Sequence, residues 1–128
     1  MAQAVLEHVN VTVRDPVRTA KELCALFDWR IRWQGDSIHG GYSVHVGGDD
    51  SYVALYTKGG TPDKIATDSY STLTGLNHIG IVVDDLTATE ERVKAAGYEP
   101  HSHGDYEPGK RFYFDDADGV EIEVVSYS

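Results

Sequence analysis

Two histidines in matching contexts and one glutamate in a β-like run are the residues of this chain best suited to chemistry. His8 lies in Leu6-Glu-His8-Val-Asn-Val-Thr-Val13, His78 in Leu76-Asn-His78-Ile-Gly-Ile-Val-Val83, and Glu123 in Gly119-Val-Glu-Ile-Glu123-Val-Val125. Two neutral imidazoles and a carboxylate form the ligand set of open-sided divalent metal sites, which leave positions free for an oxygen-bearing substrate. Period two sends Val120, Ile122 and Val124 to one face of a strand and Glu121 and Glu123 to the other. An antiparallel strand with one wet face would read the same way. The repetition around the histidines is what favours a site.

Leu6 to Asp15 superposes on Leu76 to Asp85 at a constant offset of 70 residues, matching leucine, histidine, three β-branched positions and an aspartate. Val9, Val11 and Val13, like Ile79, Ile81 and Val83, share one strand face, so His8 and His78 occupy the other. A helix follows each strand. Asp15-Pro16 reads as an N-cap and first-turn proline ahead of a helix over roughly Val17 to Phe27, with Leu23, Leu26 and Phe27 as its core stripe. Thr87-Ala-Thr-Glu90 has capping-box spacing for the second helix, and Gly97 ends it. Three further β-runs complete each module: Trp29 to Trp33, Tyr42 to Val46 and Ser51 to Thr57, then Tyr98 to His101, Lys110 to Asp115 and Val120 to Ser126.

The expected fold class is therefore α+β. One domain holds two βαβββ modules, 4–57 and 76–127, joined by a Gly/Thr/Ser/Asp-rich linker over 58–75. Edge to edge, the halves would form a curved mixed sheet, a cup lined by His8, His78 and Glu123. Ala54 stands where module one would place the counterpart of Glu123. Tyr113 and Arg111 share the inner face by alternation. Tyr113 is a candidate catalytic donor or a half-buried aromatic beside Phe112 and Phe114, and Arg111 a candidate substrate contact. His101 and His103 are read in a Gly/Pro-flanked loop able to fold over the cup, where His103 would serve as acid/base or be merely solvated. Tyr42, Tyr52 and Tyr56 are read as a wall for a planar small molecule, or as ordinary sheet packing. Nothing repeats His39 or His45.

Composition narrows the partners. Eleven basic against 21 acidic residues give a formal charge of −10 in 128 residues, which disfavours nucleic acid and anionic lipid surfaces. The single Cys24, in Leu23-Cys-Ala-Leu26, reads as packing, and with no spanning apolar run the expected location is the cytoplasm.

Together these residues resemble the vicinal oxygen chelate superfamily, which includes glyoxalase I, extradiol dioxygenases, epimerases and the fosfomycin and bleomycin resistance proteins. His8 and His78 match its first-strand ligands, and Asp116-Ala-Asp-Gly119-Val-Glu-Ile-Glu123 resembles its Asp-Pro-Asp-Gly-x-x-x-Glu ending. Ala54 departs from the four-ligand glyoxalase pattern, and the remaining two histidines and glutamate resemble the iron site of extradiol dioxygenases. In the dioxygenase signature a tyrosine precedes the turn aspartate by three residues, as Tyr113 precedes Asp116. Ala117 replaces the usual proline, and His103 lies one residue too far out to match the upstream histidine. The resemblance implies a small metal-dependent enzyme, dioxygenase-like or a lyase/isomerase, with a divalent ion (Fe2+, Mn2+, Ni2+ or Zn2+) and a small-molecule substrate. Short members commonly dimerise, and a homodimer is expected. The alternative is a metal-free, resistance-type protein that binds a drug-like ligand in the same cup.

Overall fold

The computed structural model describes residues 2–65, 67–106 and 108–128. The chain divides into two compact units, Met1–Asp63 and Lys64–Ser128. The first runs β1 (His8–Thr12), α1 (Pro16–Phe27), β2 (Arg30–Ser37), β3 (Gly41–Gly47) and β4 (Tyr52–Thr57); the second runs β5 (Ile79–Val82), α2 (Leu86–Ala95), β6 (His101–Tyr106), β7 (Gly109–Asp115) and β8 (Glu121–Ser126). Each builds a four-stranded mixed sheet, in the order β1-β4-β3-β2 or β5-β8-β7-β6. In both, the first strand pairs parallel with the last, and the other pairings are antiparallel. The α+β, paired βαβββ expectation is borne out.

Both helices start on the repeated aspartate. Asp15 Oδ1 accepts from the Arg18 amide at 3.1 Å, with Pro16 in the first turn, and Asp85 Oδ1 accepts from the Ala88 amide at 3.0 Å. The cap of α2 is therefore Asp85, not Thr87. At its other end Gly97 takes φ +94° while the Gly97 and Tyr98 amides close back on Lys94 and Val93 carbonyls, so the glycine stop holds.

Each core lies between its helix and one sheet face. Leu23, Leu26 and Ala20 of α1 are buried, as are Val44, Val46, Val53 and Leu55 of the sheet; the second unit buries Val93 of α2 with Phe112, Phe114, Ile122 and Val124. Burial of this apolar face fixes register, since a one-residue slip would turn it to water.

The largest departure from expectation is β6. Tyr98 to His101 is not the strand; His101–Tyr106 is, so the expected loop over His101 to Gly109 is largely sheet edge. Ser102 adopts φ +55° at a register shift between His101 and Gly104, and that irregularity hides the strand from a period-two reading.

Candidate metal centre

The face opposite α2 gathers the second module's ionisable groups. His78 directly precedes β5, and its Nε2 is 3.0 Å from Glu123 Oε1. Glu123 pairs in register with Gly80 of β5 and Tyr113 of β7. A Cβ at Gly80 would meet nothing within 4 Å, so the absent side chain leaves open space above Glu123. The other carboxylate oxygen, Oε2, accepts from Arg111 Nη1 at 2.8 Å, with the two side chains 14% and 12% exposed. Arg111 was expected to meet substrate. Instead it is clamped on Glu123 with its guanidinium 5.0 Å from the Tyr106 ring, and its Nε and Nη2 are buried without hydrogen-bond partners among the described residues.

Tyr113 packs edge-on to His78 at 5.6 Å between ring centres. Burial, then the Glu123 charge and a hydrogen bond to that carboxylate, push the Tyr113 phenol above its ordinary range and keep it protonated as a donor. Tyr70 comes from the 3₁₀ turn Ser69–Ser71, inside the expected linker. Its hydroxyl donates to Glu121 Oε1 and lies 3.3 Å from His78 Nδ1. The Glu121 hydrogen bond is the main cause that pushes its phenol up to about 12.

On the first module the equivalent face is aromatic. Register equates Ala54 with Glu123, since Ala54 faces Asn10 and His45 as Glu123 faces Gly80 and Tyr113. Ala54 supplies no ligand. Tyr52 stacks between His8, at 4.8 Å, and His45, at 4.5 Å, and Trp33 continues the row at 5.0 Å from His45. Arg32 covers the Tyr52 ring at 4.7 Å. Glu7 Oε1 takes hydrogen bonds from His8 Nδ1 at 2.8 Å and the Tyr52 hydroxyl at 3.2 Å, which hold its carboxyl below the ordinary range. Burial pushes the His45 imidazole down. Sequence reasoning undervalued His45 and Trp33; alternation does place both residues of β2 and β3 on this face once the bulge between Ile31 and Trp33 is known.

Two expected site residues lie elsewhere. His103 faces α2: its Nε2 is 2.8 Å from Glu90 Oε2 and its ring packs 6.0 Å from the buried Phe112 ring. The bulge at Ser102 turns it to the helix side of the sheet. Tyr42 pairs with Thr57 while Ser43 pairs with Tyr56, so Tyr42 is on the face opposite Tyr52 and Tyr56, and its hydroxyl donates to Gln34 Oε1. The Tyr56 ring is buried with its hydroxyl donating to the Ile38 carbonyl at 2.6 Å. Of the expected tyrosine wall, Tyr52 remains. A further group, His101, Asp115 and Glu121, brings its donor atoms within 4.8 Å of one another.

A divalent ion suits His78 and Glu123. Two N/O ligands about 2.1 Å from a metal on neighbouring octahedral corners are about 3 Å apart. The observed Nε2 to Oε1 distance is 3.0 Å, with Oε2 already held by Arg111.

A family model described as Glyoxalase/Bleomycin resistance protein/Dioxygenase superfamily matches residues 5–124. No curated protein sequence matches. Among solved structures, the chain is similar to a glyoxylase/bleomycin resistance protein/dioxygenase domain from Frankia sp. (22% identity, TM-score 0.80, 98% of each chain covered). It is also similar to fosfomycin resistance protein FosX from Mesorhizobium loti (25% identity, TM-score 0.66, 100% of this chain and 95% of that one). FosX from Listeria monocytogenes, complexed with Mn(II) and sulfate, follows at 19% identity and TM-score 0.72, covering 99% of this chain and 95% of that one.

Proposed function

The chain belongs to the Glyoxalase/Bleomycin resistance protein/Dioxygenase superfamily, and from that membership we propose a metal-dependent enzyme that takes a small substrate through two neighbouring oxygens. His8, His78 and Glu123 are the proposed metal ligands. The observation that carries this reading is His78 Nε2 converging on Glu123 Oε1 at 3.0 Å while Arg111 fixes the other carboxylate oxygen. The complex of FosX with Mn(II) supports a divalent ion in such a fold. When bound, the cation would supply Lewis-acid polarisation of the substrate oxygens.

The chain's own groups do the rest. Arg111 orients Glu123 and offsets its charge where both are mostly buried. Tyr113, protonated across the neutral range, donates a hydrogen bond to the oxygen on which charge develops. Tyr52 and Trp33 offer ring faces to a planar or amphipathic substrate. The working unit we propose is a homodimer.

Metal analysis of protein purified without chelators or an affinity tag tests the reading. We expect about one divalent ion per chain, held in an open-sided His/carboxylate site, and its loss in His78→Ala. Stoichiometric metal retained by the His8/His78/Glu123 triple-alanine variant would overturn the assignment.

The aromatic row His8, Tyr52, His45 and Trp33 favours one second reading, a sequestering protein that stacks a planar ligand without metal. Catechols titrated against metal-loaded and metal-free protein separate the two. The enzyme predicts binding that falls when metal is removed; equal affinity in both forms, with no turnover, selects the sequestering protein.

A further inference from the structure

We propose that Tyr70 is the positioning residue of His78, carrying a hydrogen-bond chain from Glu121 through its hydroxyl to the Nδ1 of the imidazole. The proposal rests on the metal reading above and names what fixes one of its ligands.

Geometry assigns the proton order. Glu121 Oε1 is 4.0 Å from His78 Nδ1, too far for a direct hydrogen bond, and the Tyr70 hydroxyl stands between, bonded to the first and 3.3 Å from the second. A phenol has one proton, and here it goes to the carboxylate. Its oxygen is then an acceptor toward the ring, so the hydrogen at the imidazole belongs on Nδ1. In the neutral imidazole that a metal requires, this leaves the lone pair on Nε2, the atom 3.0 Å from Glu123. A histidine that binds metal through one nitrogen is oriented by the bond its other nitrogen donates.

The turn that presents Tyr70 is itself tied down. Asp68 Oδ1 accepts from the Tyr70 amide at 3.0 Å, the Thr72 hydroxyl donates to the Asp68 carbonyl at 2.6 Å, and Asn77, next to His78, donates from Nδ2 to the Ser69 carbonyl at 2.9 Å. The Asn77 bond joins the turn to the residues just before β5, so turn and imidazole are held in one frame. In the first module Glu7 holds His8 Nδ1 directly at 2.8 Å. The two histidines thus receive the same support, one from a carboxylate and one from a carboxylate relayed by a phenol.

Tyr70→Phe removes the hydroxyl and keeps the ring, so packing of the turn survives. Titrated with Zn2+ alone, this variant should bind roughly 10- to 100-fold more weakly than the parent, the usual cost of losing such a partner. Glu121→Gln keeps an acceptor without the charge and should weaken binding by a smaller factor. In zinc-loaded parent protein the Nδ1-bound proton of His78 should give a slowly exchanging 15N-coupled NMR signal, lost to solvent exchange in Tyr70→Phe. Parent-like affinity and an unchanged Nδ1 proton in Tyr70→Phe would overturn the inference alone, as would weakened binding in Glu121→Gln without it in Tyr70→Phe. Failure of the parent protein to bind zinc, manganese or iron would remove the metal reading and the inference with it.

Discussion

Tyr113 faces Glu123 in register and His78 edge-on, so its hydroxyl is beside the proposed ligands without being one of them. A group that donates to developing charge but does not hold the metal should matter to turnover and not to metal content. Tyr113→Phe should therefore lower kcat by about tenfold or more, with metal stoichiometry by emission spectroscopy unchanged. Equal loss of metal and activity would reassign Tyr113 to the support of Glu123. At this scale the sequence was readable where chemistry was duplicated: the offset of 70 paired His8 with His78, and alternation put Glu123 beside Tyr113. Tyr70 was not legible because it lies in the Gly/Thr/Ser/Asp-rich stretch read as a linker, outside both aligned repeats. Arg111 was read by face alone, and face cannot say that its guanidinium is spent on a neighbouring carboxylate.

Helix starts and strand irregularities decide which side chains reach the candidate site. The two N-caps occupy repeat-equivalent aspartates, and the Thr87 spacing that reads as a capping box lies inside α2. Asp85→Ala should cost about 1 kcal/mol of stability, seen as a lower urea midpoint at unchanged slope, and Thr87→Ala within about 0.5 kcal/mol of zero. The reverse ranking would restore Thr87 as the cap. Period-two reading succeeded on β7 and β8, which are regular, and failed on β6 and β2, where bulges shift the phase. Thus His103 was assigned to the site and belongs with Glu90, whereas Trp33 was passed over and belongs beside His45. Tyr42 failed differently: it was grouped with Tyr52 and Tyr56 across a turn, and only the β3–β4 register, Tyr42 to Thr57, fixes its face.

Each sheet ends in two edge strands, β1 and β2 in the first unit, β5 and β6 in the second. Edge strands carry unpaired backbone donors and acceptors and invite a partner. Units of about 64 residues bury only about 60% of the surface their unfolded chains expose, so each is marginal alone, and association with a second copy is a common remedy. Charge opposes it. At −10 per chain, two copies repel, and the repulsion is screened over about 8 Å at physiological ionic strength but over about 30 Å at 0.01 M. The proposed homodimer should accordingly scatter light as twice the 14.1 kDa chain at micromolar concentration in 0.15 M salt, and shift toward the single chain on dilution into low salt. A lattice-free measurement of this kind reads mass directly. Metal-loaded protein that remains at 14.1 kDa in physiological salt would rule the dimer out and assign the working unit to one chain.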